Sequence, residues 1–159
     1  MNKQETAKLL TLMATVHPRF GEGDINEKVG VWSLLLADIN YHLAQQAVVK
    51  MLRANKYEPK PADIIEAVQS ITDTTPTAEQ AWSEVLRQLD PYRTPEWSNK
   101  LIQDAVRVMG FRNLCDSESP SIDRAQFIKI YNNLKNRQKN DYENTVVIQL
   151  VGGKLKLLG

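Results

Sequence analysis

Apolar residues recur through most of this chain three and four positions apart, with polar residues between them, which is the signature of amphipathic helices. From Asn2 to Val16, two interleaved sets (Ala7, Leu10, Ala14 and Leu9, Met13, Val16) form one helical face, and Asn2 with Glu5 has the form of a capping box. His17 and Pro18 end that helix. After the GEGDIN loop, Asp24 with Glu27 signals a second helix start, and Val29, Trp32, Leu35, Leu36 and Ile39 make its inward face. Asn40 caps a third helix with Leu43, Ala44, Ala47, Val48 and Leu52 inward, ended by the KYEPKP turn. Pro61, at a first helical position, opens a fourth over ADIIEAVQSI. Four short helices of this kind make a bundle of about 70 residues, a size that is only marginally stable alone.

The stretch Thr72–Thr77, TDTTPT, has no apolar side chain and reads as a linker. The expected organisation is an N-terminal helical domain over 1–71, a linker over 72–77, a C-terminal helical module over 78–140 and a tail over 141–159. In the second module Thr77 with Gln80 caps a helix facing inward through Ala78, Trp82, Val85, Leu86 and Leu89. Thr94 and Pro95 open another, with Trp97, Leu101, Ile102, Ala105, Val108 and Met109 inward and Gly110 as its stop. FRNLCDSESP reads as a loop or short turn.

The strongest helical pattern follows, SIDRAQFIKIYNNLKNRQK, with Ser121 as N-cap and Phe127, Ile130, Tyr131 and Leu134 at i, i+3, i+4 and i+7. Arg124, Lys129, Lys135, Arg137 and Lys139 have no acidic residue among them from Arg124 on. The stripe ends at Leu134 while the polar pattern runs on, so the helix has a docked half and a basic, water-facing half. Beyond it, TVVIQLVGGKLKLLG has the alternation of strands. With Gly152 and Gly153 as a primed two-residue turn, Val146, Ile148, Leu150, Leu155 and Leu157 would share one hairpin face. An isolated hairpin is marginal in water. The tail therefore either folds back on the second core or waits, unstructured or strand-like, for a partner. The fold class is all-α: two small helical bundles joined by a linker, with a short C-terminal β-hairpin as an open alternative for the tail.

Composition narrows the function. Hydrophobic content of 42% and charged content of 25% suit a soluble globular protein. A net charge of +1 supplies no bulk field toward nucleic acid. The apolar runs fall far short of the ~20 residues of a membrane span, and MNKQETAKLL lacks the form of a secretory signal, so a cytoplasmic location and no membrane partner are expected. The single cysteine, Cys115, suits a reducing compartment and a small buried hydrophobic role. His17, His42 and Cys115 do not assemble at metal-ligand spacing, and Gly152-Gly153-Lys154 lacks the upstream glycine and hydroxyl residue of a phosphate cradle. No catalytic residue, cofactor or metal is expected. The cations of 124–139, with Tyr131 or Tyr142 to stack, leave DNA contact open as an alternative.

Order and spacing carry a resemblance over roughly residues 6–135. KLLTLMATVHPRF, VWSLLLADINYHLAQQAVVKML and YEPKPADI resemble the N-terminal helical domain of the phage replicative-helicase loader and inhibitor family. AWSEVLRQL, AVRVMGF, NLC and IDRAQFIKIYNNL are similar to the C-terminal portion of related phage loaders. His17 stands where a tyrosine is usual before the proline, and Lys60 separates two prolines that typically adjoin. The resemblance implies a non-catalytic adaptor that binds the hexameric replicative helicase of phage or host, restrains its ATPase and delivers it to origin DNA, often through an origin-binding protein. DNA contact by the adaptor itself would be weak or indirect. It also implies that the C-terminal part is the helicase-binding side. The expected contact residues are Phe127, Ile130, Tyr131, Leu134, Val146, Val147, Ile148, Leu150, Leu155 and Leu157. Arg124, Lys129, Lys135, Arg137 and Lys139 would serve as charged rim or DNA contact. On structural grounds alone Phe127 and Ile130 suit the core of the second module better than a partner surface, and the tail residues are the firmer contact set. The alternative function is a helical DNA-binding or transcription-regulating module.

Overall fold

The helix-start signals in the sequence are realised as hydrogen bonds. In the computed structural model, which describes residues 1–54 and 57–155 and the side chains of all of these but 153–155, Asn2 Oδ1 accepts from the Glu5 amide at 2.9 Å. Glu5 Oε2 in turn accepts from the Asn2 amide at 2.8 Å. This closes the capping box of α1 (Lys3–Val16). Asp24 caps α2 (Ile25–Leu35) by accepting from the amides of Asn26 and Glu27. Asn40 Oδ1 does the same for α3 (Tyr41–Ala54) through the His42 amide at 2.9 Å. Each such cap is worth about 1 kcal/mol. Pro61 takes the first position of α4 (Pro61–Thr72), where its missing amide costs nothing. The fold is all-α, with no strand among the described residues.

The chain divides into two compact units, Met1–Asp73 with Gln149–Gly159, and Thr74–Ile148. In the first, Leu9, Leu10 and Met13 of α1 meet Ala44, Ala47, Val48 and Met51 of α3 and Ile64 and Val68 of α4. Full burial of each large side chain contributes roughly 1.5–3 kcal/mol. Alanines at two positions of the α3 face let neighbouring helices approach closely. A 3-10 turn, Pro18–Gly21, drops Phe20 into this core, edge-on to Trp32 at 5.3 Å between ring centroids. Lys28 Nζ donates to the Phe20 carbonyl at 2.7 Å and lies 5.2 Å from the ring centroid, a cation over an aromatic face. α2 buries no residue of its own: Val29 and Trp32 are half-buried, and Leu36 and Ile39, in the turn that follows, take the deep positions. Thus Leu35, expected inward, is exposed.

In the second unit, Thr77 and Gln80 form the capping box of α5 (Ala78–Gln88), which buries Ala81, Trp82 and Val85. The next helix starts five residues later than the Thr94-Pro95 signal suggests: α6 spans Lys100–Met109, with Asn99 as N-cap. The reason lies in α5. Gln88 exchanges two hydrogen bonds with the backbone of Glu96, and Glu84 accepts from the Ser98 amide at 2.8 Å. These side chains satisfy backbone groups that a helix would otherwise have to pair. The shift in start goes with a shift in phase, and Val106 is buried while Val108 is exposed.

Gly110 turns the chain sharply between α6 and α7 (Phe111–Cys115), the short helix formed where a loop or turn was expected. Its φ of 85° is in the left-handed region, which favours glycine, whereas the Asn113 amide 2.8 Å from where a Cβ would lie ends a side chain that can swing aside. The last helix, α8, runs from Pro120 to Leu155.

Candidate partner-binding surface

α8 begins two residues before the start that Ser121 as N-cap implies. Pro120 occupies the first position, and the Ser119 carbonyl accepts from the amides of Ile122 and Asp123 at 3.0 and 3.1 Å, so Ser121 lies inside the first turn. Asp123 in that turn suits the positive end of the helix dipole.

One turn further on, the i, i+4 pair Phe127 and Tyr131 is buried completely. The two rings stack at 5.8 Å, and Phe127 packs on Trp82 at 5.3 Å. The Tyr131 hydroxyl donates to the Pro76 carbonyl at 2.8 Å, so its polar end is satisfied inside the unit. Ile130 and Leu134 are half-buried against the same core. Phe127 thus takes the core role that suits it in the second module, with Tyr131 beside it, and a ring with no exposed surface can reach another protein only if the unit opens.

The rim residues are also largely engaged. Arg124 Nη2 lies 2.7 Å from both carboxylate oxygens of Glu79. Arg137 faces Asp141 and Lys139 faces Glu143, each at 4.0 Å and one turn apart. Lys135 is half-buried and also has a partner, and Lys129 is exposed. Asp141 and Glu143 lie just outside the Arg124–Lys139 window and Glu79 lies on α5, so the run of cations seen in the sequence does not survive as a free basic face. From Asn136 to Thr145 every residue of α8 is exposed, making this part of the helix a polar shaft.

The apolar end departs furthest from expectation. No hairpin forms among the described residues; Thr145 to Leu155 continues α8, and Gly152 and Gly153 lie within the helix instead of in a turn. A short run such as VVIQLV satisfies a period of two and a helical period alike, and continuity with an anchored helix decides between them. Val147, Ile148 and Val151 are 57%, 71% and 57% exposed, whereas Val146 and Leu150 are half-buried. Val151 is thus an exposed apolar residue that strand alternation did not single out; its i, i+4 relation to Val147 was the available signal. Leu155 ends the helix with its side chain outside the description, and Leu157 lies outside the described residues.

Among the described residues, reactive side chains do not gather at any one place. His42 is exposed at the start of α3, and His17 is half-buried with its Nε2 atom enclosed and without a hydrogen-bond partner. Cys115 is half-buried; burial pushes its thiol pKa up, and the nearby Asp116 and Asp90 carboxylates add to that, which works against a nucleophilic thiolate. Among the described residues no group of three or more His, Cys, Asp and Glu side chains could hold a metal ion, and no helix is long and apolar enough to cross a membrane.

Residues 1–65 match the family model for the N-terminal domain of a phage helicase loader/inhibitor. The matched stretch covers α1, α2, α3 and the start of α4. No curated protein and no solved structure matches the chain significantly.

Proposed function

From the premise that its first 65 residues match the N-terminal domain of the phage helicase loader/inhibitor family, we propose that this protein is a DNA-replication helicase loader. It binds the hexameric replicative helicase, restrains its ATPase and hands it to origin DNA. The family match is the observation that carries this reading. The exposed apolar end of α8 supports it by supplying a surface with no evident use inside its own helix.

The mechanism is physical and not covalent. Val147, Ile148 and Val151, with Val146 and Leu150 beside them, enter an apolar site on or between helicase subunits. Removing such area from water is worth about 25 cal/mol per Å². A wedge or clamp held there opposes the subunit motions that ATP turnover requires, so restraint and binding share one contact. The chain acts as an adaptor and contributes no catalytic group. DNA is reached through the helicase and an origin-binding protein, and Arg124, Arg137 and Lys139 each stand opposite a carboxylate of the chain itself.

The test compares the full chain with one ending at Asn144, each mixed with purified hexameric helicase, by co-elution and ATP turnover. The full chain is expected to bind and slow turnover, and the shortened chain to do neither. Equal binding and inhibition by both would remove the tail from the mechanism. Raising salt from about 50 to about 200 mM should barely change the affinity, whereas a protein held by about six phosphate contacts would lose roughly 10³-fold or more.

A further inference from the structure

Helix α2 ends without a basic side chain in its last turn, and the α-ammonium of Met1 takes that place. It donates to the carbonyls of Leu36, Ala37 and Ile39 at 3.0, 2.7 and 2.8 Å. An ammonium has three protons to give, and here each has an acceptor. Leu36 is the C-cap of α2, and Ala37 and Ile39 lie in the turn that follows, where carbonyls have no helical partner and the negative end of the dipole favours a cation.

We infer that this contact is a latch on the first unit: the free α-ammonium holds the corner between α2 and α3 closed, and any group carried on that nitrogen, whether formyl, acetyl or a preceding residue, loosens it. The latch lies wholly within the first unit and does not depend on helicase binding.

The nitrogen is aimed from both sides. One residue on, the Asn2 carbonyl accepts from the Thr6 amide at 3.0 Å and from the Thr6 hydroxyl at 2.9 Å, and the Asn2–Glu5 capping box fixes the same residue. Thr6 is fully buried, and the Met1 side chain packs against the core of the unit. On the facing side, Leu36 and Ile39 are themselves buried core residues, so the corner that receives the ammonium is held in place by its own side chains.

Acylation removes the charge and leaves one N–H where there were three. A preceding residue does the same at this nitrogen and carries its own ammonium elsewhere. At least two of the three carbonyls then lose their donor, and hydrogen bonds from a charged donor are the stronger kind. Because the contact joins residue 1 to residues 36–39, its loss frees the corner and leaves the caps of α1 and α3 in place. Opening is therefore local, at the end of α2 and the turn after it.

The experiment uses the full chain in three forms: with a free amine on Met1, acetylated at that nitrogen with completeness checked by mass spectrometry, and with Gly-Ser before Met1. Residue-resolved amide hydrogen exchange is read at Leu36, Ala37 and Ile39, whose amides donate to the carbonyls of Trp32, Leu34 and Leu36 at 2.9, 3.3 and 3.1 Å. The amides of Trp82 and Val85 in α5 serve as the reference within the same molecule. Exchange at the corner should quicken by about tenfold or more in both blocked forms, while the α5 amides stay within about twofold. If acetylation unfolds the first unit outright, the Gly-Ser form, which keeps a cation on the chain, gives the comparison. Corner amides within about twofold of the free chain in the Gly-Ser form, or in a folded acetylated form, would overturn the inference. Quickening of equal size at Trp82 and Val85 would overturn it too, since that would mark a general loss of stability and not a latch.

Discussion

The proximal and distal parts of α8 contain similar apolar residues and put them to opposite uses. Phe127 and Tyr131 have no exposed surface and sit in an aromatic cluster with Trp82, whereas Val147, Ile148 and Val151 are more than half exposed. Between them lies a fully exposed polar shaft. A narrow stripe at i and i+4 can be covered by one or two neighbouring helices, and in this chain it is. The apolar residues of Val146–Val151, interrupted only by Gln149, spread around more than half the helix, so no single packing partner within the chain can cover them all. Width, more than hydrophobicity, separates the segment that builds a core from the one that stays exposed.

Substitutions can break this contrast, and the largest effect should come from the proximal half. Phe127→Ala removes the centre of the aromatic cluster and should cost about 3–5 kcal/mol, read as a lower urea midpoint by tryptophan fluorescence. Tyr131→Phe keeps the ring and loses only the hydrogen bond to the Pro76 carbonyl, so about 0.5–1.5 kcal/mol is expected in the same assay. Should it cost nothing, the bond that ties α8 to the segment before α5 is unimportant. Arg124→Ala breaks a solvent-exposed ion pair with Glu79 and should cost less than about 1 kcal/mol, with the difference shrinking as salt is added. Ile148→Asp should shift stability by no more than about 0.5 kcal/mol. A large loss of stability there would mean that the distal half is core after all.

Helix starts are legible in the sequence because caps are local. Asn2 with Glu5, Asp24, Asn40 and Thr77 with Gln80 all satisfy backbone amides within three residues, so sequence spacing alone exposes them. The start of α6 is not legible, because what holds residues 96–98 out of the helix comes from Glu84 and Gln88 on α5. The pairing of Arg124 is hidden for the same reason, its carboxylate being 45 residues away. The tail misleads on a different ground. Its alternation fits a strand, but a strand needs a neighbour, and the helix already running into Thr145 needs only to continue. The candidate surface is therefore half legible: spacing points to most of its residues and not to their conformation.

Winding Val146–Val151 into α8 has a consequence for handling the protein. The hexapeptide VVIQLV is uncharged, free of proline and glycine and dominated by branched side chains, the composition of segments that stack into cross-β fibrils. In the helix its amides are occupied by carbonyls one turn back and are closed to edge-to-edge growth. Conditions that unwind the final turns should therefore show up first as thioflavin-positive sediment, well before either bundle melts.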